Sequence, residues 1–316
     1  MKIKKAIGLT LLSAFLISGC ANANVKTTSI KDSTKSDYVS SPTTSDVSSS
    51  GTEISSSTPI YTEPAESKYY KYSQLPDGTL AIAVVPNTNL ESLTIPRMHN
   101  GKMVTQIANK GFSNLDSLKQ INLLDTIKMI GDNAFLRCSS LNSINIPESV
   151  TSIGGSAFEG CSSLARVNIG NGVTSIGGSA FKGCTSLTSI EIPNTVTSIG
   201  GSAFYGCSSL TSINIPNGVT SIRVSAFKNC TSLTSIVIPN SVTSIGVSAF
   251  KNCTSLTNIV IPNSVTSIGN FAFDGCSKLT IHCEAENPAV VAESPAAGWD
   301  DNWNSSNCDV KWKYKS

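Results

Sequence analysis

The chain has 316 residues, of which 14% are charged, against about a quarter in ordinary domains. Counting Gly with the apolar types gives an apolar share of about 47%, so the chain is sparsely charged yet able to bury a core. Its formal charge is +2, or −1 once Lys2, Lys4 and Lys5 leave with a leader, which excludes a basic nucleic-acid surface and a polybasic membrane surface. With two histidines, His99 and His282, far apart in sequence, multi-imidazole metal sites and Ser-His-Asp triads lack their raw material. No catalytic residue, metal ligand or cofactor is assigned.

The three lysines precede an apolar run over residues 6–17 that is too short to span a bilayer as a mature helix. Residues 1–19 read as a signal peptide. The run ends in Leu16-Ile17-Ser18-Gly19-Cys20, which resembles the lipobox of bacterial lipoproteins, where cleavage precedes the cysteine and its sulfur receives a diacylglycerol. Cys20 is therefore expected to carry the lipid, and two or three acyl chains suffice for stable anchoring. Residues 21–66 contain 20 Ser or Thr, interrupted by Pro42, Pro59 and Pro64, and cannot bury a core. The segment 20–66 reads as a stalk spanning about 35–40 Å as a flexible coil.

Over residues 67–89, Tyr69, Tyr70 and Tyr72, the Pro76-Asp77-Gly78 turn and the apolar run 80–85 read as a β-hairpin cap. Then phenylalanine recurs at Phe112, Phe135, Phe158, Phe181, Phe204, Phe227, Phe250 and Phe273, each 23 residues after the last. Cysteine keeps that period from Cys138 to Cys276, and leucine from Leu118 to Leu279. A degenerate first unit begins at Leu90 and carries a five-residue insertion around His99 to Met103. Within one unit, Leu141, Ile144 and Ile146 suit a short strand that Pro147 ends, because proline cannot donate to a ladder. Val150 and Ile153 form a second apolar segment, and Ala157, Phe158 and Cys161 a third, so the chain circles one interior every 23 residues. A single unit buries too little to offset its ordering entropy; stacked neighbours complete the core.

The run L-x-x-I-x-I-P, then V-T-S-I-G and S-A-F-x-x-C, resembles the 23-residue repeat of BspA-like leucine-rich repeat surface proteins over residues 90–280. That resemblance implies a mainly β, right-handed solenoid of about eight coils with a parallel sheet on its concave side. Residues 281–316, with Trp299, Trp303 and Trp312, resemble the family's Trp-rich C-terminal cap. An aromatic lid over the last coil is favoured there over a sugar platform. BspA-like proteins are associated with attachment to host matrix and plasma proteins, so the resemblance implies a protein ligand of that kind. The lipobox-like end adds the expectation of a lipid-anchored location on the outside of the cell envelope, with the membrane contacted through Cys20 alone, and the charge balance that of no nucleic-acid partner. The alternative is an envelope spacer that associates with itself and has no host ligand. Acidic pairs such as Glu284/Glu286 and Asp300/Asp301 are weak grounds for an enzyme.

Residues alternating with the buried isoleucines point outward and form the candidate binding strip: Asn122, Ser143, Asn145, Arg166, Asn168, Ser189, Glu191, Ser212, Asn214, Ser235, Val237, Asn258 and Val260. Arg166 and Glu191 are expected to pair, and Val237 with Val260 to add an outward apolar pair. The periodic cysteines read as buried thiols acting as small apolar residues, since residues stacked at about 4.8 Å with parallel Cβ vectors do not suit a disulfide. Cys283 and Cys308, outside the period in an exported chain, are expected to form one. Gly131, Gly154, Gly177, Gly200, Gly246 and Gly269 share a site that is Ala108 and Arg223 elsewhere; a strictly positive φ would strain the arginine coil, so an ordinary φ is expected at Arg223.

Overall fold

The computed structural model describes residues 68–86, 88–287 and 295–314. The leader, Cys20 and the 20–66 segment lie outside the described residues. Strands β1 (Tyr70–Gln74) and β2 (Leu80–Val84) form the expected antiparallel hairpin, with Gly78 at φ +84 in its turn and Asp77 accepting from the Thr79 amide. After β3 (Ser92–Thr94), the insertion makes a second hairpin from β4 (Met98–His99) and β5 (Lys102–Ile107). Its turn is Asn100-Gly101, at φ +48 and +73, the Asn-Gly pair favoured by a two-residue turn with left-handed central residues.

Each later coil then contributes one strand from the L-x-x-I-x-I segment and one two-residue strand from V-T-S-I. In chain order these are β6 (Gln120–Asn122), β7 (Met129–Ile130), β8 (Ser143–Ile146), β9 (Ser152–Ile153), β10 (Arg166–Ile169), β11 (Ser175–Ile176), β12 (Ser189–Ile190) and β13 (Ser198–Ile199). The array continues with β14 (Ser212–Asn214), β15 (Ser221–Ile222), β16 (Ser235–Val237), β17 (Ser244–Ile245), β18 (Asn258–Ile261) and β19 (Ser267–Ile268). Pairing between successive coils is parallel and in register at 23 residues, as in Ser143 beside Arg166. The fold is thus the expected mainly β solenoid with a parallel ladder on its concave side.

Two departures are informative. The N-terminal hairpin joins the V-T-S-I ladder, β2 lying parallel to β5, instead of extending the concave one. The concave ladder is also interrupted: β3–β6, β8–β10, β12–β14–β16 and β18–β20–β21 pair as separate groups, where β20 is Thr280–Cys283 and β21 is Asp309–Trp312. The concave ladder therefore runs past residue 280 into the C-terminal segment.

A third set of contacts runs through every coil. The amide of each repeat phenylalanine from Phe112 to Phe250 donates to the alanine carbonyl of the next coil, beginning with Phe112 to Ala134 at 2.8 Å. From Phe135 to Phe273 the rings stack with centroids 5.2–5.6 Å apart and planes within 9°. All eight rings are buried, and offset stacking adds to their burial. Trp303 closes the column edge-on to Phe273 at 6.1 Å. Trp299 is buried, donates its indole N–H to Val265 O at 3.2 Å and lies against Trp312. The tryptophans form the lid.

The periodic cysteines are buried free thiols, but they do more than fill space. Each Sγ donates to the carbonyl of the phenylalanine in the preceding coil, from Cys138 to Phe112 at 2.9 Å through Cys276 to Phe250 at 3.1 Å. Burial pushes the Cys184 and Cys207 thiols well up and Cys230 to about 12.

The expected Cys283–Cys308 disulfide is absent: both are free thiols. Register is the reason. Cys283 lies opposite Trp312 and Asp309 opposite Thr280, so Cys308 sits four residues back along the strand, roughly 13 Å from Cys283 and far beyond bridging distance. Its Sγ instead faces the Cys276 carbonyl at 3.6 Å.

Arg223 has an ordinary φ, as expected. The shared glycine site is set by clearance. A Cβ on Gly154, Gly177, Gly246 or Gly269 would come within 2.5–2.6 Å of the preceding coil's backbone. The left-handed residues lie elsewhere in the repeat, at Ser156, Ser179, Ser202, Ser225 and Ser248 and again just before each cysteine, as at Gly160 and Asn229.

Candidate binding surface

Alternation along the concave strands buries Ile144 with Ile146 and Val167 with Ile169, and turns Asn145, Arg166 and Asn168 outward. Asn122, Ser189, Glu191, Ser212, Asn214, Ser235 and Asn258 are exposed on the same face, while Ser143 and Val260 are half-buried. Every member of the expected strip therefore lies on one side of the array. The strip is hydrogen-bonded internally at one rung, where Asn168 Nδ2 donates to Asn145 Oδ1 at 2.7 Å.

Three open troughs follow this face. One of about 650 Å³ runs over Asn168, Ser189, Glu191, Ser212, Asn214 and Val237. A second of about 480 Å³ adjoins it, sharing Asn214 and Val237 and reaching Val260 and Glu284. A third, of about 340 Å³, lies over Ser92, Gln120, Asn122, Ser143 and Asn145. Val237 is 66% exposed between the first two, whereas Val260 is partly covered because its neighbour in register is His282, whose ring leans on Tyr314 at 4.4 Å. The outward apolar pair is in effect a single exposed valine.

The expected Arg166–Glu191 pair does not form: among the described residues neither joins an ion pair. In the 23-residue register Arg166 aligns with Ser189 and Asn168 with Glu191, so the two charges are diagonal neighbours, about 7–8 Å apart at their Cα atoms. Nothing in this geometry builds a catalytic constellation. Among the described residues no group of His, Cys, Asp and Glu could hold a metal ion, and the polar rungs repeat too regularly to single out a nucleophile beside a base.

The sequence motif and the coil geometry agree with what the chain is similar to. A profile described as BspA type Leucine rich repeat region matches in six copies over residues 84–207 and 174–287. The crystal structure of the leucine-rich repeat protein of T. pallidum is 30% identical, with a TM-score of 0.57, covering 61% of this chain and 90% of that one. A leucine-rich repeat protein from Bacteroides ovatus is 28% identical, with a TM-score of 0.56, covering 77% of this chain and 66% of that one. No curated protein matches the chain significantly. With the 23-residue period, the in-register parallel ladders and a matching profile over most of its length, the chain belongs to the BspA-type leucine-rich repeat family.

Proposed function

We propose that the chain is a protein-binding module displayed from the bacterial cell surface. Lipid on Cys20 holds it to the membrane, residues 20–66 raise it, and the concave face takes a protein ligand, with adhesion to host or neighbouring-cell proteins as the outcome. The observation that carries this reading is the pair of adjoining troughs, floored mostly by Ser and Asn rungs with Glu191 in one and Glu284 in the other, and interrupted by the exposed Val237. A sheet meant only for solvent has no use for an exposed valine, and an apolar point within a polar, open depression suits a protein contact.

The test uses the chain with Cys20→Ser, assayed for saturable binding to immobilised matrix and plasma proteins beside an Arg166→Glu, Val237→Lys double variant. Binding weakened at least tenfold by the double substitution supports the reading. Binding unchanged by it moves the site off the concave face, and absence of binding favours the spacer alternative.

A further inference from the structure

A second surface lies along the lateral edge of the array, on the turn that precedes each buried phenylalanine. In four coils the two residues there are Asp132-Asn133, Gly155-Ser156, Gly178-Ser179 and Gly201-Ser202. In the next three they become Val224-Ser225, Val247-Ser248 and Asn270-Phe271. Val224, Val247 and Phe271 are 52%, 44% and 43% exposed, so three of the large exposed apolar side chains fall on the same turn of three consecutive coils, Phe271 one residue past the valine position.

Phe271 carries a second anomaly. It holds φ +60 at a position where other coils place five serines, one asparagine and Lys110, a left-handed conformation that is uncommon for an aromatic side chain. The aromatic ring is both strained and exposed, and the fold needs neither, because the same turn closes with Ser248 one coil earlier. Within the chain the ring meets Lys251 Nζ, 5.6 Å from its centroid, a cation already paired with Asp274 at 2.8 Å, and it still leaves 43% of its surface exposed, apolar area open to a contact outside the chain.

The row has a charge at each end. Arg223 precedes Val224 and is exposed, with Lys228 in the same coil, and neither joins an ion pair among the described residues. Past Phe271 the chain returns beside it: the Asp300 amide donates to Ile268 O, the Phe271 amide to Asn302 O, and Asp300 Oδ2 accepts from the Asn270 amide. Asp300 and Asp301 therefore extend the row with negative charge, both exposed. Along the edge the order is cation, valine, valine, phenylalanine, carboxylates.

We infer that this edge pairs with the same edge of a second copy, antiparallel, about a two-fold axis between Val247 and Phe271. That operation sets Val247 against the partner's Phe271 and brings Arg223 to the partner's Asp300 and Asp301, an isologous contact in which one patch complements itself. A uniformly cationic edge would repel its own copy, and an anionic bilayer would be repelled by the aspartates. The apolar row spans three coils at about 4.8 Å each, far short of a standard interface, so the dimer is weak in solution and gains from any arrangement that concentrates the chains. The concave face stays open, so this inference does not depend on the ligand-binding reading.

Sedimentation velocity of the chain with Cys20→Ser, over rising concentration, tests it. The expected result is a reversible monomer–dimer equilibrium that Val247→Gly, Phe271→Ser abolishes, while thermal stability is kept or raised because both substitutions restore residues used by sister coils. Arg223→Asp and Asp301→Lys should each weaken dimerisation about tenfold, and the combination should recover it, which a merely structural role for either charge would not produce. A chain that stays monomeric, a dimer indifferent to Val247→Gly, Phe271→Ser, or a failure of the charge swap to rescue overturns the proposal.

Discussion

The sharpest test of the coil-stacking argument is Arg223→Gly. At the other coil-to-coil junctions of the V-T-S-I ladder two backbone bonds close the gap, as in Thr243 N–H to Thr220 O at 2.9 Å and Gly246 N–H to Ile222 O at 2.7 Å. Between the coils of β13 and β15 neither equivalent forms. Thr220 and Arg223 donate to nothing in the preceding coil, the two strands do not pair, and a void of about 10 Å³ opens beside Ile199, Ile222 and Phe227. We attribute this to the Arg223 side chain, which stands where the other junctions have glycine, or Ala108 where the first coil meets the hairpin and the amide still reaches Ile82 O at 2.9 Å. Glycine would restore two backbone bonds worth about 0.5–1.5 kcal/mol each and cost about 0.5–1 kcal/mol in backbone entropy. The net gain of about 1 kcal/mol should appear as a rise of about 2–4 °C in Tm. Native-state hydrogen exchange localises it: in the parent the Thr220 amide exchanges faster than Thr197 and Thr243, and in the variant it joins them. Gly177→Arg, which puts a Cβ 2.5 Å from the backbone of Gly154 and Gly155, should lower Tm by at least as much. Equal protection of Thr197, Thr220 and Thr243 in the parent, or a lower Tm in Arg223→Gly, would refute the clearance argument.

Other consequences follow from the same geometry. Among the ladder thiols, Cys184, Cys207 and Cys230 are held protonated by burial beyond the ordinary value near 9, Cys230 to about 12, whereas the unfolded chain loses those protons. Stability is therefore full below about pH 9 and falls above it by about 1.4 kcal/mol per thiol per pH unit until the folded value is reached; urea midpoints from pH 8 to 11 should fall, and less steeply in Cys230→Ala. Cys207→Ala leaves the Phe181 carbonyl with one donor in place of two and should cost about 1–2 kcal/mol in urea unfolding. Iodoacetamide should label half-buried Cys308 before any ladder thiol, at a rate rising with pH towards about 11, the value to which burial raises it. In denaturant without reductant both Cys283 and Cys308 should be alkylated. Trp303→Ala uncovers Phe273 and should cost about 2–3 kcal/mol, with exchange protection lost first in the last coils.

The period made most of this molecule readable before any coordinates. A side chain that returns every 23 residues must return to the same place, so Phe158, Cys161 and Ile144 declare the interior, and by alternation Asn145 and Asn168 declare the outer face. What period cannot convey is how closely adjacent coils approach. The arginine at 223 argued against a positive φ at the shared glycine site, but why glycine stands at 154 and 177 lay in the distance to the neighbouring backbone. The Cys161 Sγ–H bond to Phe135 O depends on the same inter-coil spacing. Outside the repeat, inference by compartment misled: two unmatched cysteines in an exported chain suggested a bridge, but the parallel register of β20 and β21 sets them four residues apart. One signal was present and unused. Gly or Asn before each cysteine from Cys161 to Cys276, as in Gly160-Cys161 and Asn229-Cys230, marks the left-handed turn that the structure contains.

The interruptions in the ladders show how an array of weak units stays in one piece. The concave ladder is open between β6 and β8, β10 and β12, and β16 and β18; the V-T-S-I ladder is open between β13 and β15. No two of these gaps fall at the same junction: β7–β9, β11–β13 and β17–β19 are paired beside the first three, and β12–β14 beside the last. The phenylalanine amides and rings cross every one of these junctions without a break. In a one-dimensional array, stability is a sum of units and nearest-neighbour interfaces, and the weakest interface decides where the array separates. Here each interface keeps the buried phenylalanine column and at least one closed ladder, so side chains on the concave face and the lateral edge can vary without splitting the stack. That freedom is what allows Arg166, Glu191 and Val237 to differ from their neighbours on one face, and Arg223, Val224, Val247 and Phe271 on another, while the interior repeats almost unchanged.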